Sequence, residues 1–167
     1  MSSEAHKSAA PARVRVFVLT VSDTRTDATD SSGAAIVTAL TGAGHQVTGK
    51  AIEPDEPARI AALIRQHAAS GDVDAIITSG GTGLTSRDST FEAIDALLTK
   101  RLPGFGELFR MLSYQDIGPA AMMSRACAGT IERVVVISLP GSEKAVRLAM
   151  TKLVIPELGH LVQQAHK

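Results

Sequence analysis

Tryptophan is absent from this chain of 167 residues, and aromatics make up only 3 % of it. So few rings leave no stacking platform for single-stranded nucleic acid. Net charge is lacking as well: 17 basic residues balance 17 acidic ones, without the basic excess of a general nucleic-acid binder. A single cysteine, Cys127, excludes an intrachain disulfide and points to a reducing, cytoplasmic compartment. It reads as a small buried filler. The five histidines have no metal-ligand spacing. No run reaches the ~20 apolar residues of a membrane span, and no internal repeat is visible.

What is present is a hydrophobic share of 44 %, enough for a substantial core in one domain. Residues 1–12, rich in Ser, Ala and Pro, read as a flexible tail, neither signal peptide nor anchor. The single domain runs over 13–167. Val14 to Val21 and Arg133 to Leu139 are β-branched apolar runs of the kind buried on both faces of a sheet. Asp72 to Ser79 is a third such strand, and Gln46 to Ile52 and Ala126 to Ile131 are weaker ones. Helical spacing lies between them. Asp30 and its neighbours offer N-caps, and Pro57 suits a first helical position. Ser89 and Glu92 have the capping-box spacing for a helix through Leu98. Phe105, Leu108, Phe109 and Leu112 share one apolar helix face. A long last helix starts after Ser142 and is expected to be interrupted near Pro156. The alternation predicts an α/β fold, a mostly parallel sheet covered by helices on both faces as a three-layer sandwich.

In such folds ligands bind beyond the carboxyl ends of the strands. Three strands end in polar or Gly-rich segments: Ser22-Asp23, Ser79-Gly80-Gly81-Thr82-Gly83, and Ser138-Leu139-Pro140-Gly141-Ser142. The Gly-rich segment can offer an anion several backbone N–H groups, with a helix N-terminus behind it. It is neither a Walker A loop nor a dinucleotide fingerprint, and a mere tight turn is its plain alternative. Asp88 follows it. It is either a helix cap or a magnesium ligand, since Mg²⁺ takes one or two carboxylates plus phosphate oxygens. Asp55, in the turn after the second strand, has the same two readings. Arg87 and Arg125 either counter anionic charge or are solvated, and Glu107 either serves the site or caps a helix.

Taken in order, Val21-Ser22-Asp23, Pro54-Asp55-Glu56, Thr78 to Gly83, Arg87-Asp88-Ser89-Thr90, Leu102 to Glu107 and Leu139-Pro140-Gly141-Ser142 resemble the MogA/MoaB family of molybdenum cofactor biosynthesis, over roughly Arg13 to Leu161. The resemblance implies a homo-oligomer, trimer or hexamer. It also implies Mg-ATP-dependent adenylylation of the terminal phosphate of molybdopterin, with molybdenum inserted later by a partner enzyme. Asp55 and Asp88 would be the catalytic, Mg²⁺-holding pair. Ser22, Asp23, Ser79, Gly80, Gly81, Thr82, Gly83, Glu107, Ser138, Pro140, Gly141 and Ser142 would bind substrate. Two positions depart from the family pattern: Phe91 stands where adenylyltransferases often have proline, and Glu143 follows Ser142. They leave open a non-catalytic molybdopterin-binding or scaffold protein. A third alternative is a different α/β enzyme acting on a phosphorylated metabolite.

Overall fold

The computed structural model describes residues 10–167. Six strands form one sheet: β1 (Arg15–Val21), β2 (Gln46–Glu53), β3 (Ala75–Ser79), β4 (Lys100–Arg101), β5 (Cys127–Ile131) and β6 (Val134–Leu139). Their spatial order is β2-β1-β3-β6-β5-β4. The first four in that order are parallel, and β5 and β4 continue the sheet antiparallel. Of the expected tail, residues 1–9 lie outside the described set.

Helices cover both faces. On one side α1 (Ser31–Gly42), α4 (Pro103–Ile117), α5 (Glu143–Ala149) and α6 (Ile155–Ala165) pack Ile36, Leu40, Phe109, Val146 and Leu158 on Val16, Val18, Ile77 and Ile137. On the other, α2 (Pro57–Ser70) and α3 (Thr90–Leu97) pack Ile60, Ile64 and Ile94 on Leu19, Ile76 and Val136. The central strands are buried on both faces, which is why their sequences read as continuous apolar runs rather than alternating ones. The three-layer α/β expectation therefore holds.

Two local details differ from the expectation and one agrees. Ser89 does not close a capping box: its hydroxyl donates to Asp55 and Glu92 pairs with Arg125, because both side chains find stronger charged partners in other segments. The last helix is interrupted near Pro156 as expected: a widened turn over Met150–Val154 separates α5 from α6. Such a turn accommodates the missing N–H of proline. The two-residue β4 is an element the sequence did not announce. Among the described residues no helix is long and apolar enough to cross a membrane.

Candidate functional site

Parallel pairing of Leu19 with Thr78, and of Thr78 with Ser138, places the carboxyl ends of β1, β3 and β6 side by side. The three polar segments accordingly meet on one edge. Gly80 N–H donates to the Leu139 carbonyl at 3.0 Å, joining the Gly-rich loop to the segment that leads into Pro140. Ser79 and Ser138 are fully buried within their strands. Their hydroxyls have no hydrogen-bond partner among the described residues, and both side chains lie beneath the edge.

At the first segment, Ser22 Oγ accepts from the amides of Thr24 and Arg25 at 3.2 and 3.1 Å, which turns the chain after β1. Asp23 then links two other segments. One oxygen accepts the amide of Asp55 at 3.1 Å and the other pairs with Arg87 at 2.6 Å. The Arg87 guanidinium holds the Asp23 carboxyl below the usual carboxylate range.

Asp55 and Asp88 flank the Gly-rich loop. Asp55 Oδ1 accepts from the hydroxyls of Ser89 at 2.9 Å and Thr90 at 3.1 Å, and the Ser89 amide approaches it at 3.4 Å. Asp55 thus caps α3 from another segment. Its Oδ2 lies against Gly81, where a Cβ would stand 2.7 Å from it. Gly81 has φ +66°, a left-handed conformation natural to glycine. Asp88 Oδ2 accepts from the Thr85 amide at 3.0 Å and from the Thr85 hydroxyl. The hydroxyl bond leads in lowering the Asp88 pKa from its usual value. A Cβ on Gly83 would come within 2.6 Å of the same oxygen, so only glycine lets the carboxylate settle against the loop.

Arg125, in the turn before β5, reaches this loop. Nε donates to the Thr82 carbonyl at 2.9 Å, Nη2 to the carbonyls of Gly83 and Asp88, and Nη1 pairs with Glu92. Its guanidinium lies 5.0 Å from the centre of the Phe91 ring. Beyond it is a cavity of about 330 Å³ whose walls include Phe91, Arg101, Glu107, Arg110 and Cys127. Glu107 therefore stands on that cavity, on the first turns of α4, rather than on the loop.

The Pro140–Ser142 turn is held from the loop after β1 and from α1. The Gly141 carbonyl accepts from Arg25 Nη2 at 3.0 Å and from Ser32 Oγ at 2.6 Å. Arg25 also approaches Asp30, whose side chain is fully buried and pairs with Lys50 at 2.8 Å. Burial opposes ionisation of Asp30. The Lys50 ammonium, the Gly33 amide and the Thr20 hydroxyl outweigh it and keep the carboxyl below its usual range. Glu143 turns to Arg147 at 2.7 Å. That partner holds its pKa down and offsets the charge the sequence places beside the Pro140–Ser142 turn.

Sequence reasoning flagged Arg125 but missed Arg25, Ser32 and Thr85. The nearness of Arg25 to Ser22-Asp23 was the available signal. For Ser32 and Thr85 only their positions beside Asp30 and Gly83 gave a hint.

The family described as "Probable molybdopterin binding domain" matches residues 17–160. The chain is 52 % identical over 168 residues to molybdenum cofactor biosynthesis protein B of Bacillus cereus, covering 100 % of this chain and 99 % of that one. The Bacillus subtilis protein of the same name is 51 % identical, again over 100 % and 99 %. A crystal structure of a molybdenum cofactor biosynthesis protein B superposes with a TM-score of 0.90 at 52 % identity, covering 94 % of this chain and 98 % of that one. The molybdopterin biosynthesis enzyme MoaB of Thermus thermophilus gives 0.81 at 37 %, over 91 % and 96 %.

Proposed function

As the chain belongs to the family of probable molybdopterin-binding domains and has a role in molybdenum cofactor biosynthesis, we propose that it binds molybdopterin and adenylylates its terminal phosphate with Mg-ATP. The observation that carries this reading is the pair of carboxylates, Asp55 and Asp88, each seated against a glycine of one loop, Gly81 and Gly83.

The residues suit magnesium arriving with a nucleotide. No group of three or more acidic, His or Cys side chains that could hold a metal occurs among the described residues. Two carboxylates alone would need phosphate oxygens and water to complete an octahedron, which is how Mg²⁺ is commonly held. Both Thr85 bonds fall on Asp88 Oδ2, leaving lone pairs on Oδ1. Bound there, the ion would neutralise charge on the phosphates. The rest is positioning, which dominates phosphoryl-type transfer. The loop amides of Gly81 and Thr82 cradle phosphate, since the Gly80 amide already donates to the Leu139 carbonyl and the Gly83 amide turns to Asp88. Ser22, Asp23 and the Pro140–Ser142 turn line the substrate edge, with the fully buried Ser79 and Ser138 behind them, and the cavity that carries Glu107 gives the pterin room beside the loop. An oxygen of the molybdopterin phosphate attacks the α-phosphorus of ATP. The bond from that phosphorus to the bridging oxygen breaks, and pyrophosphate leaves.

Residues 13–167 act as one such domain in this reading, assembled as a trimer or hexamer. The exposed apolar side chains Leu108, Met111, Ile117, Met122 and Met123 on α4 and the turn after it are of the kind that subunit contacts cover. A molybdenum-inserting enzyme takes the product. The binding-only alternative is favoured by one observation: Asp55 already serves as the cap of α3, a task that needs no metal.

Pyrophosphate release from ATP tests the choice. Release that requires both magnesium and molybdopterin supports transfer. Tight molybdopterin binding without release would overturn transfer and leave the carrier reading.

A further inference from the structure

The segment from Thr82 to Asp88 is exposed for most of its length, with Leu84 at 67 %. Its own bonds close only a small ring: the Asp88 amide donates to the Thr85 carbonyl at 3.0 Å, and the Thr85 amide donates to Asp88 Oδ2 at 3.0 Å. That ring fixes the Asp88 carboxylate relative to the loop. It does not fix the loop relative to the sheet. The ion pair of Arg87 with Asp23 is one outside tie, and it is largely exposed; exposed pairs hold weakly. Among the described residues the second is Arg125, whose single planar head gathers the carbonyls of Thr82, Gly83 and Asp88, from both ends of the segment. The side chain of Arg125 is itself only 20 % exposed. Its plane is set by the Phe91 ring and by Glu92.

We propose that Arg125 is a positioning residue that locks Thr82–Asp88 to the body of the fold and so sets where the Asp88 carboxylate stands over the substrate edge. The consequence for the reaction rests on the transferase reading above. Phe91, at the position where proline is common in the resembled family, gains a purpose: it is the plate on which the clamp lies. A lysine at 125 would keep the positive charge. It would lose the clamp, because one ammonium cannot span the acceptors that a planar fork spans.

The test compares the parent protein with Arg125→Lys and Phe91→Ala. Hydrogen exchange at the Thr85 and Asp88 amides is read alongside product formation with ATP, Mg²⁺ and molybdopterin. In Arg125→Lys, exchange at these two amides should quicken at least about tenfold while strand amides keep their protection. Turnover should fall by about tenfold or more, with KM for molybdopterin within about threefold and a higher Mg²⁺ requirement. Phe91→Ala should shift each quantity in the same direction by less. Unchanged exchange overturns the clamp. Faster exchange with full turnover overturns the positioning role. Lost molybdopterin affinity with unchanged exchange would make Arg125 a substrate contact instead. If the parent forms no product, the transferase reading fails, and the exchange comparison still decides the clamp.

Discussion

Arg25 donates to the carbonyl oxygen of Gly141 across 116 positions of sequence, at 3.0 Å. Ser32, from the first turn of α1, donates to the same oxygen at 2.6 Å. Two donors on one acceptor predict non-additive effects. Arg25→Gln and Ser32→Ala should each cost little, since the other bond survives. The double variant should cost about 1 kcal/mol more than the sum, because the half-buried carbonyl is then unpaired. Urea unfolding of the four proteins measures it, and simple additivity would deny the shared role.

The Asp30–Lys50 pair predicts a pH dependence. The folded carboxyl lies below its usual value, so its contribution is present above about pH 4 and disappears as pH falls through the folded pKa. The Lys50 pKa is raised, against burial, by Asp30 and Asp27. Its contribution is complete below about pH 10 and disappears as pH rises through the folded value. Asp30→Asn keeps the cap and should cost about 2 kcal/mol at neutral pH. Its deficit against the parent should shrink below about pH 4. A deficit independent of pH would mean that the charge is not what matters.

Asp88→Asn preserves shape and removes charge. Transfer should be abolished, with molybdopterin affinity within about tenfold, or about 1.4 kcal/mol. Isothermal titration together with pyrophosphate release separates the two quantities. Joint loss would mean that Asp88 builds the pocket.

Gly83→Ala inserts a methyl 2.6 Å from Asp88 Oδ2. The backbone there tolerates alanine and the loop is exposed, so stability should stay within about 0.5 kcal/mol. The displaced carboxylate should lower transfer by roughly a hundredfold. Undiminished transfer would mean that the position of the carboxylate does not matter.

Cys127 tests burial at the cavity. Burial pushes its thiol pKa up to about 11, so roughly one thiol in a thousand is ionised at pH 8. Disulfide reagents should therefore react far more slowly with the folded protein than with the same chain in urea. Equal rates would show an open thiol.

The strands of the site edge were legible because Val14–Val21 and Arg133–Leu139 are apolar throughout, the mark of a strand buried on both faces. β4 was not, since Lys100-Arg101 is too short to carry a period and forms only because β5 lies beside it. The six motifs, taken in order, pointed to the family. The glycines and both carboxylates of the candidate site were readable as residue types. Their partners were not. Ser89 with Glu92 has the spacing of a capping box, yet Asp55 takes one and Arg125 the other, from 34 and 33 positions away. Local spacing records which groups need partners. It does not record which distant group arrives with the better charge.

The side-by-side pairing of Leu19, Thr78 and Ser138 has a consequence for how the molecule comes to exist. Each neighbouring pair is separated by about sixty residues of chain, so the loop-closure cost is met before the pairing rewards it. The edge where the three strand ends meet has no precursor in any short peptide cut from this sequence. It exists only once β3 has paired with both β1 and β6. A ligand that spans the three strand ends holds together segments that the unfolded chain keeps far apart. It should raise the melting temperature of the whole fold in step with its own concentration.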